Sequence, residues 1–253
     1  IPANILLKEP LKLGAAMTER EFAEHIGELA AQNKLYKTYI GCGWYDTVTP
    51  AVVQRNVFEN PVWYTSYTPY QAEISQGRLE ALLNFQTVIS DLTALPLANC
   101  SLLDEATAAA EAATMMYGLR SRAQQKAQAN VLFVDEEIFP QTLAVIRTRA
   151  IPQGMVVKVG SYKDLTFTPD IFGCIVQYPN NSGSIEDYRE FAEQAHAAGC
   201  KVAVVADILS LALLVPPGEW GADIAFGSSQ RLGTPMFYGG PSAAYFATRD
   251  EYK

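Results

Sequence analysis

An acidic residue ends one of the predicted buried strands, where ligands commonly bind. The strand covers residues 201–207, and its residues 202–206 are all apolar. In open parallel sheets, ligands bind beyond the carboxyl ends of the strands, so Asp207 stands where a functional carboxylate is expected. It can pair with a protonated ring nitrogen of a cofactor, or it can accept backbone N–H groups in a strand-to-helix turn. Its position alone leaves both interpretations open.

A polar segment, residues 227–235 with the sequence GSSQRLGTP, follows the predicted strand at residues 223–226. With the glycine pair at 239–240, it resembles the segment that presents the cofactor lysine in pyridoxal-phosphate enzymes of fold type I. The basic residue here is Arg231, which does not form an imine, and the only lysine after Lys201 is Lys253. We therefore predict that this region forms no Schiff base.

A helix N-terminus is predicted after residues 99–103, and its free N–H groups would suit a phosphate. Ser101 and Thr107 are the candidate donors there. Asp104 and Glu105 occupy the predicted first turn, however, and their carboxylates would accept the same N–H groups and repel a phosphate. Ordinary capping by these side chains is the favoured interpretation, and a phosphate site is the alternative.

Residues 64–77 are rich in tyrosine, hydroxyl and amide groups and contain few aliphatic side chains. One interpretation is a packed irregular segment, in which the tyrosine rings are buried and their hydroxyls form hydrogen bonds. The other is a substrate-side wall or a subunit contact. We favour the subunit contact.

The elements that position these residues change character near residue 130. Helices are predicted at residues 18–33, which begin with the capping box Thr18–Glu21, at 54–59, from Ser75 to about 92, and from Asp104 to about 125. The predicted strands are residues 131–135, 155–159, 174–178, 201–207, 223–226 and 243–247, and helices at 140–149, 185–198 and 209–214 lie between them. Apolar strands that alternate with helices indicate an α/β fold, with a mostly parallel sheet flanked by helices.

Composition excludes several classes of protein. A net charge of −8 argues against a nucleic-acid surface, and no apolar run reaches the ~20 residues of a membrane helix. The cysteines form no CxxC pair, so we expect no metal site and four buried free thiols in a cytoplasmic protein.

We expect two regions: an N-terminal helix with an extended aromatic wrapping segment at residues 1–75, and a large domain at residues 76–253.

Several long motifs together resemble the P-protein of the glycine cleavage system. They are KTYIG (37–41), DT (46–47), PAVVQRN (50–56), YTPYQAEISQGRLE (67–80), SLLDEATAAAE (101–111), PPGEWGADI (216–224) and the segment 227–241. The family consists of two similar halves, fused or made as separate subunits, and each resembles the large domain of fold type I pyridoxal-phosphate enzymes. Only the C-terminal half carries the cofactor lysine. This chain resembles the N-terminal half, which places Gln230 at the lysine position.

The resemblance implies that the whole enzyme decarboxylates glycine on pyridoxal phosphate held by the other half, and passes the aminomethyl group to the lipoyl arm of the H-protein. The partners implied are the C-terminal half, the lipoylated H-protein and glycine. In this half we expect no catalytic residue and no cofactor, and only a degenerate pocket. Its candidate residues are Ser101, Thr107, Phe139, Asp207, Ser228 and Gln230. Family members often carry histidine in place of Val48, Phe139 and Ser242.

Three alternatives were weighed against this interpretation. A stand-alone pyridoxal-phosphate enzyme is disfavoured by the missing lysine. A nicotinamide-binding domain would need a GxGxxG motif after its first strand, and none is present there. A structural or regulatory pseudoenzyme domain remains compatible with the sequence, and it differs only in what the intact protein does.

Overall fold

The computed structural model describes residues 1–65, 68–236 and 241–253, which form two compact units, Ile1–Gly41 and Cys42–Lys253. The first unit contains helix α1 (Glu19–Ala31). As predicted, the Thr18 side chain accepts the N–H of Glu21, and the Glu21 carboxylate accepts the N–H of Thr18 at 2.7 Å. The apolar side chains of α1, at Phe22, Ile26 and Leu29, are exposed. The division of the sequence at residue 75 stays a prediction.

The second unit begins with short helices. They are α2 (Ala51–Val53), a π-helix (Gln54–Phe58), α3 (Pro61–Tyr64) and a 3-10 turn (Ala72–Ile74). Tyr64 and Tyr70 are 65% and 79% exposed. The interpretation of a packed segment with buried tyrosine rings is therefore wrong for these two residues. Tyr67, which belongs to the same prediction, lies outside the described residues.

Two longer helices follow, and both correct the sequence prediction. Helix α4 (Gln76–Thr93) begins after Ser75, but the Ser75 side chain makes no capping hydrogen bond. The alanine-rich helix α5 (Glu105–Gly118) ends seven residues earlier than the predicted limit of 125. A separate helix, α6 (Arg122–Lys126), starts with its own capping box, in which Ser121 pairs with Gln124. That capping box competes with continuation of α5, because it draws the backbone of Ser121 out of helical geometry.

The described residues form a seven-stranded sheet in the order β1-β7-β6-β5-β4-β2-β3. Strands β2 to β6 are parallel, and β7 is antiparallel to both β6 and β1. The strands are β1 (Leu97–Ala98), β2 (Val131–Asp135), β3 (Val156–Gly160), β4 (Ile171–Tyr178), β5 (Lys201–Ala206), β6 (Ile224–Ser228) and β7 (Ala244–Thr248). The predicted mostly parallel sheet is confirmed, and β1 is an addition to it.

Helices cover both faces of the sheet. One core contains Val202 and Val204 of β5 together with residues of α4 and of α8 (Arg189–Ala197). The other contains Ala203 and Val205 together with residues of α5 and of α7 (Pro140–Ala150). Because successive strand side chains point to opposite faces, a continuous apolar strand supplies both cores. Helix α8 starts four residues later than predicted, and the predicted helix at 209–214 is the 3-10 turn Ser210–Ala212.

The four cysteines are free, as expected. Cys174 and Cys200 are buried, and burial raises the pKa of both thiols. The prediction of four buried thiols is wrong for Cys42 and Cys100, which are half-buried. Both lie in loops outside the strands and helices, where side chains have fewer packing neighbours.

Candidate functional site

A cleft with two lobes opens at the carboxyl ends of the parallel strands. The strand order reverses between β2 and β4, because the chain runs from β2 outward to β3 and then back to β4. Folds of this kind bind ligands at such a topological switch point, beyond the carboxyl ends of the strands. The first lobe has a volume of about 350 Å³ and the second about 310 Å³. Gly43, Glu105 and Ser228 border both lobes, and we call the whole the carboxyl-end cleft.

Asp207 lines the first lobe directly after β5, as the sequence predicted for a residue at this edge. Its Oδ1 accepts the N–H of Leu209 at 3.0 Å, which is the backbone interpretation of this carboxylate. The same carboxylate forms an ion pair with Arg231, whose Nε lies 3.3 Å from Oδ2. Both side chains are largely buried, and the guanidinium also lies 5.1 Å from the ring centre of Tyr45. Asp207 is therefore neutralised by a residue of this chain.

Asp104 and Glu105 behave differently from each other. Asp104 caps α5 as expected, because its Oδ1 accepts the N–H of Thr107 at 2.7 Å. The prediction that Glu105 also caps this helix is wrong. Its carboxylate reaches across the cleft and accepts the N–H of Ser228 at 3.3 Å. Burial raises the pKa of Glu105 to about 7, the charges of Asp207 and Asp104 add to this, and the hydrogen bond from Ser228 opposes it.

Gln230 lies in the 3-10 turn Ser229–Leu232, immediately after β6. The Ser228 hydroxyl accepts the N–H of Gln230 at 3.2 Å, which fixes the start of this turn. The Gln230 side chain lines the second lobe and is 1% exposed, and its Nε2 has no hydrogen-bond partner among the described residues. The expected lysine position is thus filled by a buried amide.

Phe139 lines the first lobe at the start of α7, and its N–H donates to Oε1 of Gln177 at 2.9 Å. Its ring packs against Gly43, where an added Cβ would lie 2.9 Å from Cε2 of the ring. Gly43 has a φ of +86°, so a side chain there would be strained as well as crowded. A larger residue at position 43 would close this part of the cleft.

Several residues of the cleft were not predicted from the sequence, among them Gly43, Thr142 and Gln177. The motif Gly41-Cys42-Gly43 and the lone glutamine in the apolar strand β4 are signals that point to two of them. Thr142 gives no such signal. Two predicted candidates, Ser101 and Thr107, line neither lobe. Ser101 is exposed, and Thr107 donates its backbone N–H to Asp104.

A second polar cluster surrounds Asp223 at the amino ends of the strands, and the sequence analysis did not find it either. Asp223 is 1% exposed and accepts hydrogen bonds from His196 at 2.8 Å, the N–H of Val202 at 2.8 Å and Tyr252 at 2.9 Å. Burial raises the pKa of Asp223, but these hydrogen bonds outweigh it and the net pKa is lowered. Arg249 lies 3.3 Å away. This cluster ties α8 and the segment after β7 to the sheet.

The described residues bring together no group of three or more His, Cys, Asp and Glu side chains suited to a metal ion. Of the helices in the described parts of the chain, none combines the length and apolar character of a bilayer-spanning segment.

Comparison with known sequences decides the family. A sequence model of the glycine cleavage system P-protein matches residues 1–253. The chain belongs to the P-protein family. It is 77% identical to a glycine dehydrogenase (decarboxylating) of Bacteroides fragilis, 76% to one of Bacteroides thetaiotaomicron and 55% to one of Flavobacterium johnsoniae, each over 253 residues. The match falls within the N-terminal half of these P-proteins.

The chain spans about a quarter of these relatives, 27% of each. A solved structure of the family, a glycine decarboxylase (P-protein) in inhibitor-bound form, superposes on the whole chain with a TM-score of 0.85 at 36% identity. The chain covers 57% of that protein, so the solved chain is about half as long as the curated relatives.

The fold extends beyond the P-protein family. A cystathionine gamma-lyase of Lactobacillus plantarum, solved with L-serine, matches 67% of this chain and 42% of its own length with a TM-score of 0.52. The identity is 15%, so this likeness concerns the fold alone.

Proposed function

We propose that this chain belongs to the non-catalytic half of a glycine-decarboxylating enzyme whose two halves are fused in one polypeptide. The names of the relatives support the reaction, and their length supports the fusion, since each is about twice as long as the solved chain. In this proposal the C-terminal half binds pyridoxal phosphate, and the reaction partners are glycine and the lipoylated H-protein.

The buried Gln230 carries this proposal. Family resemblance places it where the other half has the cofactor lysine, and an amide does not form an imine with an aldehyde. The residues that line the two lobes include no lysine. Lys201 lies at the start of β5, at the opposite edge of the sheet, and its Nζ contacts the hydroxyl of Tyr252 at 2.6 Å.

The rest of the cleft does not fit pyridoxal phosphate either. The carboxylate that would pair with the pyridine nitrogen, Asp207, is already paired with Arg231. Glu105 and Asp104 border the second lobe, where a phosphate would meet two acidic side chains. Ser101, a candidate donor to a phosphate, is exposed outside both lobes.

Mixing the two halves tests the proposal. The N-terminal half that contains this chain and the C-terminal half would be produced as separate proteins and assayed for exchange of the glycine carboxyl group with bicarbonate. We expect no exchange from the N-terminal half alone and a marked gain when it joins the C-terminal half. Exchange by the N-terminal half alone would refute a non-catalytic role. No gain on mixing would favour a purely structural or regulatory domain.

We further infer that the described residues 68–77 of the predicted subunit-contact segment face the C-terminal half. Ile74 is 76% exposed in this chain, and Tyr70 is 79% exposed. An apolar surface of this kind marks a protein interface. In the mixing assay, Ile74→Glu is expected to weaken the gain, while Leu213→Glu, a change at a 92% exposed position elsewhere, leaves it unchanged. Equal effects of both changes would contradict the inference.

A further inference from the structure

Buried polar atoms without partners are concentrated at the carboxyl-end cleft. Among the described residues, five buried side-chain atoms make no hydrogen bond, and three belong to residues that line the cleft. They are Nε2 of Gln177 in the first lobe, and Oγ1 of Thr142 and Nε2 of Gln230 in the second. All three residues are at most 2% exposed. Because buried polar groups in native proteins are almost always paired, this concentration indicates a bound partner.

The charges around the second lobe determine the kind of partner. Two acidic residues, Glu105 and Asp104, border this lobe, whereas Arg231 forms its ion pair with Asp207 in the first lobe. The Asp104 carboxylate is engaged by the N–H of Thr107. Within the described parts of the chain, the Glu105 carboxylate has only the 3.3 Å contact with the N–H of Ser228, so most of its capacity to accept hydrogen bonds is unused there. A free anion would be repelled here, whereas a cationic group would be attracted.

The uncharged donors lie in the same lobe as Glu105. The Thr142 hydroxyl and the Gln230 amide can both donate to a carboxylate, and neither adds a charge. A ligand that satisfies Glu105 and these donors therefore carries both an ammonium and a carboxylate. The volume of about 310 Å³ lies at the lower end of the range for ligand pockets, so the ligand is small.

We propose that the second lobe of the carboxyl-end cleft binds a small α-amino acid as its zwitterion, with the ammonium at Glu105 and the carboxylate at Gln230 and Thr142. This site lies in the half that lacks the cofactor lysine, and it does not require that half to be catalytic. The raised pKa of Glu105 agrees with a carboxylate that lacks a cationic partner until the ligand binds.

Equilibrium dialysis of radiolabelled glycine against the full-length protein tests the site. The cofactor lysine of the C-terminal half would be replaced in every sample, so that variants differ only in this half. We expect Glu105→Gln to weaken glycine binding about tenfold or more, because a charge-assisted hydrogen bond is lost. Thr142→Val, which keeps the shape of the side chain, is expected to weaken binding several-fold. Glu111→Gln, on the same helix but paired with Arg149 outside both lobes, is the matched control and should bind as the parent does.

Competition by partial analogues separates the zwitterion from other ligands. Acetate and methylamine each carry one of the two charged groups, and both should compete at least about tenfold less well than glycine. Acetate that competes as well as glycine would overturn the proposal in favour of an anion site. Identical isotherms for the parent and both cleft variants would also overturn it, and the partners of the buried amides would then be ordered water. Neither result changes the outcome of the mixing assay, so failure here is distinct from failure of the proposed function.

Discussion

Glu105 and Asp207 lie at the same cleft, yet their carboxylates are in opposite electrostatic situations. Asp207 is paired with Arg231 and held by the N–H of Leu209. Among the described residues, no cationic side chain forms a hydrogen bond with Glu105, and its carboxylate accepts only the N–H of Ser228. One carboxylate of the pair is therefore neutralised by the protein itself, and the other is left available to a ligand or to a proton.

This difference predicts how stability depends on pH. The pKa of Glu105 is raised to about 7 in the folded protein from an ordinary value of 4.5, so the folded state binds the extra proton between these values. The stabilisation of the folded state by this proton is complete below pH 4.5 and is lost as the pH rises through 7. Relative to Glu105→Gln, the free energy of unfolding of the parent should therefore fall from pH 5 to pH 7, by at most about 1.4 kcal/mol per pH unit. Urea unfolding without added amino acid measures this, and a constant difference between the two proteins would contradict it.

The role of a side chain was predictable from the sequence where its partner is close along the chain. It was not predictable where the partner is far away along the chain. Asp104 was predictable as a cap, because its partner Thr107 is three residues away. Glu105 was not, since its carboxylate meets the N–H of Ser228, 123 residues further along the chain. The position of Asp207 at a strand end was predictable, while its pairing with Arg231 depends on how β5 and β6 are aligned in the sheet.

At the scale of elements, the carboxyl ends of β5 and β6 approach each other closely at Gly227. A Cβ at this position would overlap the carbonyl oxygen of Ala206 and lie 2.9 Å from the ring of Tyr245. The Tyr245 hydroxyl donates to that same carbonyl at 2.6 Å. Gly227 therefore allows β5, β6 and β7 to meet just below the turn that holds Gln230.

Gly227→Ala is expected to lower the free energy of unfolding by about 1–3 kcal/mol, because the clash is with backbone and a buried ring that cannot move aside. The matched control is Gly118→Ala at the end of α5, where an added Cβ meets nothing within 4 Å. This change should leave stability unchanged or raise it by up to about 1 kcal/mol. Denaturant unfolding compares the two variants, and an equal loss in both would show that the crowding at Gly227 is not the cause.

Element types were predictable from the sequence, and their ends were less so. The apolar runs at residues 131–135 and 201–207 gave β2 and β5 nearly residue for residue, because buried parallel strands have few polar interruptions. Strand β1 has two residues, too few for any periodicity. The end of α5 was missed because residues 119–125 (LRSRAQQ) are mostly good helix formers, and the capping box at Ser121 overrides this preference.

At the scale of the whole molecule, the chain has the fold of the solved P-protein, and we propose that its cleft holds no cofactor. The two cores and the sheet order position the carboxyl-end cleft at a topological switch point. Inside the cleft, an amide occupies the expected lysine position, and Asp207, a candidate partner for the ring nitrogen, is paired with Arg231. The family's fold and the amide at the expected lysine position were evident from sequence motifs, whereas the pairing of Asp207 with Arg231 required the structure.

The central claim is that the chemistry takes place in the other half, and one measurement tests it directly. In the full-length protein, the cofactor lysine of the C-terminal half would be replaced by alanine, with this half unchanged. We predict that the visible absorbance of lysine-bound cofactor and the glycine–bicarbonate exchange are both lost. The control Glu111→Gln, which lies outside both lobes, should retain both signals with the C-terminal lysine intact. If the absorbance and the exchange persist without the C-terminal lysine, this half binds the cofactor productively and the account is wrong.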